Sequence, residues 1–256
     1  MNLSALPAFA DNYIWMLHDG TQAVVVDPGD ATPVLQALQH QDLQLAGILV
    51  THHHADHIGG VDALRPHLHG PIWGPAREII PKPYTPLNDG DVVTVLGRRF
   101  QVIDVPGHTA GHIAYFQLDE SNAPLLFCGD TLFSAGCGRL FEGTPAQMQH
   151  SLSRLAALPG RTQVCCTHEY TLSNLKFAAA VEPGNHERAQ YHARCELLRA
   201  QGLPTLPSSI ALECQVNPFL RCEAPEVVAT ARAHGAANDD KVSVLAALRE
   251  WKNHYR

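Results

Sequence analysis

The chain has 256 residues, 45% of them apolar and 17% charged, with a formal net charge of −7 when its 16 histidines are neutral. That length allows one large domain or a main domain with a smaller companion, and the apolar share excludes a disordered chain. The acidic balance argues against general nucleic-acid binding, and no apolar stretch approaches the length of a membrane span.

Short β runs punctuated by Gly, Pro and Asp dominate the first two-thirds of the chain. Strands are expected at 12–17, 23–26, 45–50, 92–96, 100–105, 113–118, 125–128 and 163–167. Helical patterns lie between them at 31–39, 56–64, 75–80 and 145–157, the last with Thr144 as N-cap and Pro145 at its first position. After His168 the texture changes. Residues 172–181, 187–201, 225–234 and 241–252 have helical spacing, and almost nothing reads as a strand. The expected organisation is an α/β domain over 1–170 and a mainly helical domain over 171–256. Repeats and low-complexity tracts are absent.

The cysteines at 128, 137, 165, 166, 195, 214 and 222 form no CxxC pair and are odd in number. With no signal-peptide pattern at Met1–Pro7, they read as reduced thiols, and the expected location is cytoplasmic.

The densest chemistry follows the apolar run 45–50. Thr51-His52-His53-His54-Ala55-Asp56-His57 puts four histidines and an aspartate on the loop at a strand's carboxyl end. Alternate residues of an extended loop share a side, so His52 and His54 can converge on one cation. Asp56 and His57, one turn on, can face a second. Neutral imidazole and carboxylate are ligands that Zn²⁺, Fe²⁺ and Mn²⁺ accept. Three further candidates stand just past other strands: His108 in the Gly-rich turn Pro106-Gly107-His108, Asp130 in Cys128-Gly129-Asp130-Thr131, and His168 in Cys166-Thr167-His168. A lone Gly-Asp or Thr-His is usually a turn. Four ligand-bearing strand ends in one chain point to a metal-dependent hydrolase.

In this order, HHHADH, PGHTAGH, CGDTLF and THEYT resemble the motifs of the metallo-β-lactamase superfamily, and within it those of glyoxalase II, the hydroxyacylglutathione hydrolases. The first motif marks the superfamily only. Gly129–Phe133 with Gly136–Arg139, then His168–Thr171, is more specific to glyoxalase II. The likeness spans nearly the whole chain. It implies an αββα sandwich with a C-terminal mainly helical domain and a site for two divalent metals, Zn²⁺ foremost with Fe or Mn as alternatives. By motif position His52, His54 and His108 would hold the first metal, Asp56, His57 and His168 the second, and Asp130 would bridge them. One carboxylate can reach two cations roughly 3.5 Å apart. His53 should point away from the metals, and His112 is expected to pack beside a ligand.

The resemblance also implies glutathione contacts at Arg139, Phe141, Tyr170, Arg249 and Lys252. Many eukaryotic glyoxalases II have Lys and Tyr at the first two of these positions. Arg139 keeps the positive charge with a bidentate fork, whereas Phe141 lacks the hydroxyl. On spacing alone Arg249 and Lys252 read as a solvated basic face; the family reading makes them a grip on a glutathione carboxylate. Cys128 and Cys137 flank the ligands, but the ligand position itself is Asp130, so both read as buried, inert thiols.

The implied activity is hydrolysis of S-(2-hydroxyacyl)glutathione, chiefly S-D-lactoylglutathione, to D-lactate and glutathione, the second step of methylglyoxal detoxification. The metals would lower the pKa of a shared, bridging water, Asp56 and Asp130 would be the catalytic carboxylates, and no protein nucleophile is needed. The expected partner is the glutathione thioester alone, with no nucleic acid, no membrane and a monomeric chain. The alternatives are a glutathione persulfide dioxygenase with a single iron and a catalytically silent metal- or glutathione-binding module.

Overall fold

The computed structural model describes residues 1–118 and 123–255. Its contacts divide the chain into two compact units, Met1–Asp104 with Ala110–Gly129, and Val105–Thr109 with Asp130–Arg256. The second unit thus groups the 105–109 loop and residues 130–170 with the C-terminal helices.

The first unit opens with β1 (Asn2–Ala8), β2 (Asn12–His18) and β3 (Gln22–Val26), followed by α1 (Ala31–Gln41) and β4 (Gln44–Leu49). Two single-turn helices, α2 (Ala55–Ile58) and α3 (Val61–Leu64), precede β5 (Ile72–Pro75) and β6 (Thr85–Leu87). These strands form one sheet in the order β1-β2-β3-β4-β5-β6, antiparallel over the first three and parallel from β3 onward. Parallel strands need both faces covered, and β3 and β4 read accordingly as unbroken apolar runs. Val34 and Leu38 of α1 pack on Val25, Ile48 and Val50 in the core beneath one face. Asp30 caps α1 by accepting from the Thr32 amide. Four further strands, β7 (Val92–Val95), β8 (Arg98–Asp104), β9 (Ile113–Gln117) and β10 (Leu125–Gly129), pair antiparallel in the order β10-β9-β8-β7.

The second unit holds the hairpin β11 (Leu132–Phe133) and β12 (Gly136–Cys137), α4 (Pro145–Ala156) and β13 (Gln163–Cys166). It continues with α5 (Thr171–Val181), α6 (His186–Ala200), β14 (Ser208–Ser209), α7 (Ile210–Val216), α8 (Pro225–Ala233) and α9 (Lys241–His254). α4 begins as expected: Thr144 and Gln147 form a reciprocal capping box with Pro145 inside it. Among the described residues, no helix is long and apolar enough to cross a membrane.

Four expectations need correction. The helix foreseen at 56–64 is broken at Gly59-Gly60, where a Cβ on Gly60 would stand 2.6 Å from the Pro28 carbonyl oxygen and the Ala31 nitrogen. The chain approaches the 28–31 segment too closely there for a continuous helix. Residues 76–80 form a turn rather than the helix expected at 75–80, because Pro75 ends β5 and Ile80 folds back over Gly74 into the core. β1, β5 and β6 were not expected; β1 carries Pro7, which suits the edge of a sheet. In the C-terminal part, α7 and the two-residue β14 add to the expected helices.

Candidate functional site

The first unit carries four of the expected ligands after β4, His52 and His54 on the loop and Asp56 and His57 on α2, and a buried aspartate lies behind them. Asp27, 2% exposed, ends β3 and lies beside the end of β4. Its Oδ1 accepts the Thr51 amide at 2.7 Å, and its Oδ2 accepts the Thr51 hydroxyl at 2.7 Å. Since that hydroxyl proton goes to Asp27, the Thr51 oxygen is left to accept from His52 Nδ1, 3.1 Å away. The assigned tautomer leaves the Nε2 lone pair of His52 pointing at His54, whose Nδ1 is 3.1 Å from it. His57 stands against the same aspartate: Nδ1 lies 3.1 Å from Asp27 Oδ2, and Nε2 lies 3.6 Å from Asp56 Oδ2. Asn12 of β2 steadies that carboxylate by donating to Oδ2 at 3.0 Å. His53 turns to Glu78 Oε2, 2.8 Å from its Nδ1. The buried His112 ring stacks on His52 with centroids 4.5 Å apart.

The second unit carries the other three. Gly107, at φ +147, packs so closely on α4 that a Cβ would stand 2.9 Å from Met148 Cα, and this turn presents His108. His108 Nδ1 donates to the Arg139 carbonyl at 2.9 Å, so here too Nε2 keeps the lone pair, 3.5 Å from Asp130 Oδ2. His168 Nε2 lies 3.4 Å from the same oxygen. One carboxylate thus serves two imidazoles. Gly138 locks the arrangement, since a Cβ there would sit 1.9 Å from the Asp130 carbonyl oxygen and 3.0 Å from His108 Nδ1.

This donor set fits divalent metal. Two imidazoles, His52 and His108, have their second nitrogen fixed by an acceptor, and that of His57 faces the Asp27 carboxylate, which is how metal-ligating histidines are held. Within the first unit His52 and His54 stand at ligand spacing, and within the second His108 and His168 do so beside Asp130.

The same unit encloses a cavity of ≈ 490 Å³ lined by His108, Asp130 and all five residues expected to seat substrate: Arg139, Phe141, Tyr170, Arg249 and Lys252. Phe141 is 63% exposed and meets the edge of His108 at 5.3 Å, while Tyr170 stacks on His168 at 4.7 Å. The solvated-face reading fails for Arg249, which is only 6% exposed. Its Nη1 donates to the Cys137 carbonyl at 2.8 Å, and its guanidinium lies 5.3 Å from the Phe219 ring centre. Lys252 is half-buried, with Nζ 3.3 Å from the Ser173 carbonyl and hydroxyl oxygens. Desolvation, then the nearby Arg249 and Arg139 charges, bring its ammonium down to about 8.

All seven cysteines are free, and only Cys214 is exposed. Burial pushes the Cys137 thiol up, more than the Arg249 charge pulls it down, and it raises Cys165 strongly. The thiolate is the reactive form, so thiol-alkylating reagents should inhibit slowly and weakly while chelators abolish turnover. Rapid, stoichiometric inactivation by iodoacetamide would contradict this.

Sequence reading did not pick out Asp27, Thr51, Asn12 and Glu78. The signal for Asp27 was its place, an Asp-Pro-Gly directly after a buried strand. Asn12 and Thr51 had none beyond proximity to a motif, and Glu78 had none at all.

Residues 9–168 match the model of the metallo-beta-lactamase superfamily, and residues 169–255 that of the hydroxyacylglutathione hydrolase C-terminus. A curated protein of Albidiferax ferrireducens named hydroxyacylglutathione hydrolase is 62% identical over 100% of both chains. Among solved structures, ETHE1 from Myxococcus xanthus is 29% identical with TM-score 0.65, covering 88% of this chain and 86% of its own. TTHA1623, solved in a di-iron-bound form, is 28% identical with TM-score 0.59, covering 86% and 100%. The fold class expected from the motifs is therefore the observed one. Full-length identity at this level, joined to both family models, leads to one conclusion: the chain belongs to the hydroxyacylglutathione hydrolases of the metallo-β-lactamase superfamily.

Proposed function

We propose that this protein hydrolyses S-(2-hydroxyacyl)glutathione, chiefly S-D-lactoylglutathione, to D-lactate and glutathione as the second step of methylglyoxal detoxification. The observation that carries it is the cavity in which His108 and Asp130 share walls with Arg139, Arg249 and Lys252. Ligand-type groups and cations line one space of a size suited to a small thioester with two carboxylates. Neither a dioxygenase nor a silent module gains support from any observation, and the full-length relatives carry the hydrolase name.

In this reading His52, His54 and His108 hold one divalent metal, Asp56, His57 and His168 a second, and Asp130 is shared. Two Zn²⁺ ions suit the donors, and Fe or Mn would be accepted by the same set. When bound, the metals supply Lewis acidity, lowering the pKa of water and polarising a carbonyl. The chain's own groups do the rest. Asp27 and Thr51 fix the imidazole tautomers, Asn12 orients the Asp56 carboxylate, and Asp56 can steer the attacking water. Residues 1–170 supply these groups, and 171–256 add Arg249 and Lys252 for affinity. Arg139 and Tyr170 help seat the peptide, and Phe141 offers an apolar wall. No protein nucleophile is required, since thiolate leaves readily. The free thiols suit a reducing cytoplasm, and nothing in the reading requires more than a monomer. Steady-state hydrolysis of lactoylglutathione by the metal-loaded protein tests the proposal; no turnover in fully metallated protein would overturn it.

The cationic contacts give a graded expectation. Lys252→Ala should raise KM with kcat nearly unchanged, because a grip equal in ground and transition states affects binding alone. A charge-assisted contact of roughly 1.5–3 kcal/mol corresponds to about ten- to hundredfold in affinity. Arg249→Ala should raise KM similarly and also lower Tm, since the buried Cys137 carbonyl loses its donor. Lowered to about 8 by desolvation and the neighbouring cations, the Lys252 ammonium loses its charge progressively as pH rises through that region. Wild-type KM should therefore climb as pH rises through 8, and Lys252→Arg should flatten that rise. An unchanged KM in both alanine variants would show that the pair does not touch substrate.

A further inference from the structure

Glu78 lies outside every motif and is not among the residues lining the substrate cavity, yet its carboxylate accepts from two loops that carry or back the expected ligands. Its side chain is 2% exposed. Oε2 accepts the His53 amide at 2.6 Å and faces His53 Nδ1 at 2.8 Å, while Oε1 accepts the Gly111 amide at 3.0 Å. His53 stands between the expected ligands His52 and His54. Gly111 precedes His112, whose ring stacks on His52. One carboxylate thus pins the peptide between two ligands and the peptide before the ring that backs one of them.

The turn that carries Glu78 is itself anchored. Ile80 is buried under Gly74, Arg77 ion-pairs with Asp104 at the end of β8, and the Tyr84 hydroxyl lies 3.4 Å from the Pro75 carbonyl oxygen. Gly111 is fitted to it: a Cβ there would stand 2.6 Å from Glu78 Cγ and 2.9 Å from the Arg77 carbonyl oxygen. The approach leaves no room for any other residue unless the turn shifts.

We propose that Glu78 is a positioning residue for the metal centre, acting through the His53 and Gly111 peptides to hold His52 and His54 in ligating orientation. Alternation along an extended loop turns His52 and His54 to one side only if His53 is held to the other, and Glu78 supplies that hold. Partners behind the ligands typically change metal affinity by about ten- to hundredfold when removed. The inference rests on the metal reading above, but its test does not need the thioesterase activity.

Metal-free protein is titrated with Zn²⁺ against a chromophoric chelator for wild type, Glu78→Gln, Glu78→Ala and Gly111→Ala, with Tm of each metal-free form recorded. Glu78→Ala should weaken zinc about ten- to hundredfold. Glu78→Gln, which offers an amide N–H₂ to one of the donors, should lose most of that. Gly111→Ala, which displaces the turn, should follow Glu78→Ala. Lys252→Ala is the control and should bind zinc as wild type does. Should Glu78→Ala fail to fold, Glu78→Gln decides. Zinc affinity at the wild-type level in the glutamine and Gly111 variants would overturn the proposal, as would a lowered Tm with zinc affinity intact. If zinc behaves as expected but no thioester is hydrolysed by wild type, the functional reading fails and this one stands.

Discussion

Asp130→Ala should lose activity by orders of magnitude and fall short of two bound metals per chain. The reason is geometric. Asp130 Oδ2 lies 3.5 Å from His108 Nε2 and 3.4 Å from His168 Nε2, so a single oxygen faces nitrogens assigned to different metals. Removing it takes away the anion that both cations would share, and the two imidazoles lose the charge that balances them. The backbone should hardly move, because Gly138 is pressed against the Asp130 carbonyl oxygen and the hairpin that follows stays packed. Tm of metal-free Asp130→Ala should accordingly stay near the wild-type value. Asp130→Asn keeps the shape without the charge and should fall between. Metal analysis with steady-state kinetics decides it: a variant that is fully active with two metals would sink the shared-ligand model.

The candidate ligands were legible because each stands shortly after a strand in the chain. What holds the ligands was not, because it depends on pairings between distant segments. Asp27 reaches Thr51 and His57 only because β3 lies parallel beside β4, with the Asp27 amide donating to the Leu49 carbonyl at 2.9 Å. Glu78 sat in a stretch that looked like a helical turn; six residues starting at a proline are too few to tell a helix from a fold-back. Apart from the seven-residue edge strand β1, the long strands and helices followed from period and punctuation, while β5, β6, β11, β12 and β14 have four residues or fewer and no readable period. Arg249 shows a different limit. Helical spacing put it on a face with Lys252, but whether that face meets water depends on Phe219 and Cys137, far away in sequence.

Asp27→Asn should be nearly as damaging as loss of a ligand, although Asp27 itself is not expected to touch metal. The carboxylate accepts from the Thr51 amide and hydroxyl and faces His57 Nδ1 at 3.1 Å, all while 2% exposed. An asparagine that keeps its oxygen towards the Thr51 amide must place its N–H₂ where Oδ2 was. That group donates and carries no charge, so it no longer presents an anion to His57 Nδ1. The stable response is for His57 to move its proton to Nε2, the nitrogen that faces Asp56, and the lone pair needed for metal is lost. The Thr51 hydroxyl is also deprived of its acceptor, which loosens the assignment at His52. Two candidate ligands, one from each proposed metal site, are thus disturbed by one isosteric change. Zinc affinity should fall about ten- to hundredfold, with kcat falling further because the second metal is left partly vacant. KM should move little, since the cavity cations belong to other residues. Asp27→Ala removes the wrong donor but leaves buried donors unsatisfied, so it should cost more stability, about 1–3 kcal/mol for each group left unpaired. Zinc titration and chemical denaturation of both variants separate the two effects. If Asp27→Asn binds zinc as tightly as wild type, the tautomer argument is wrong and Asp27 serves the fold alone.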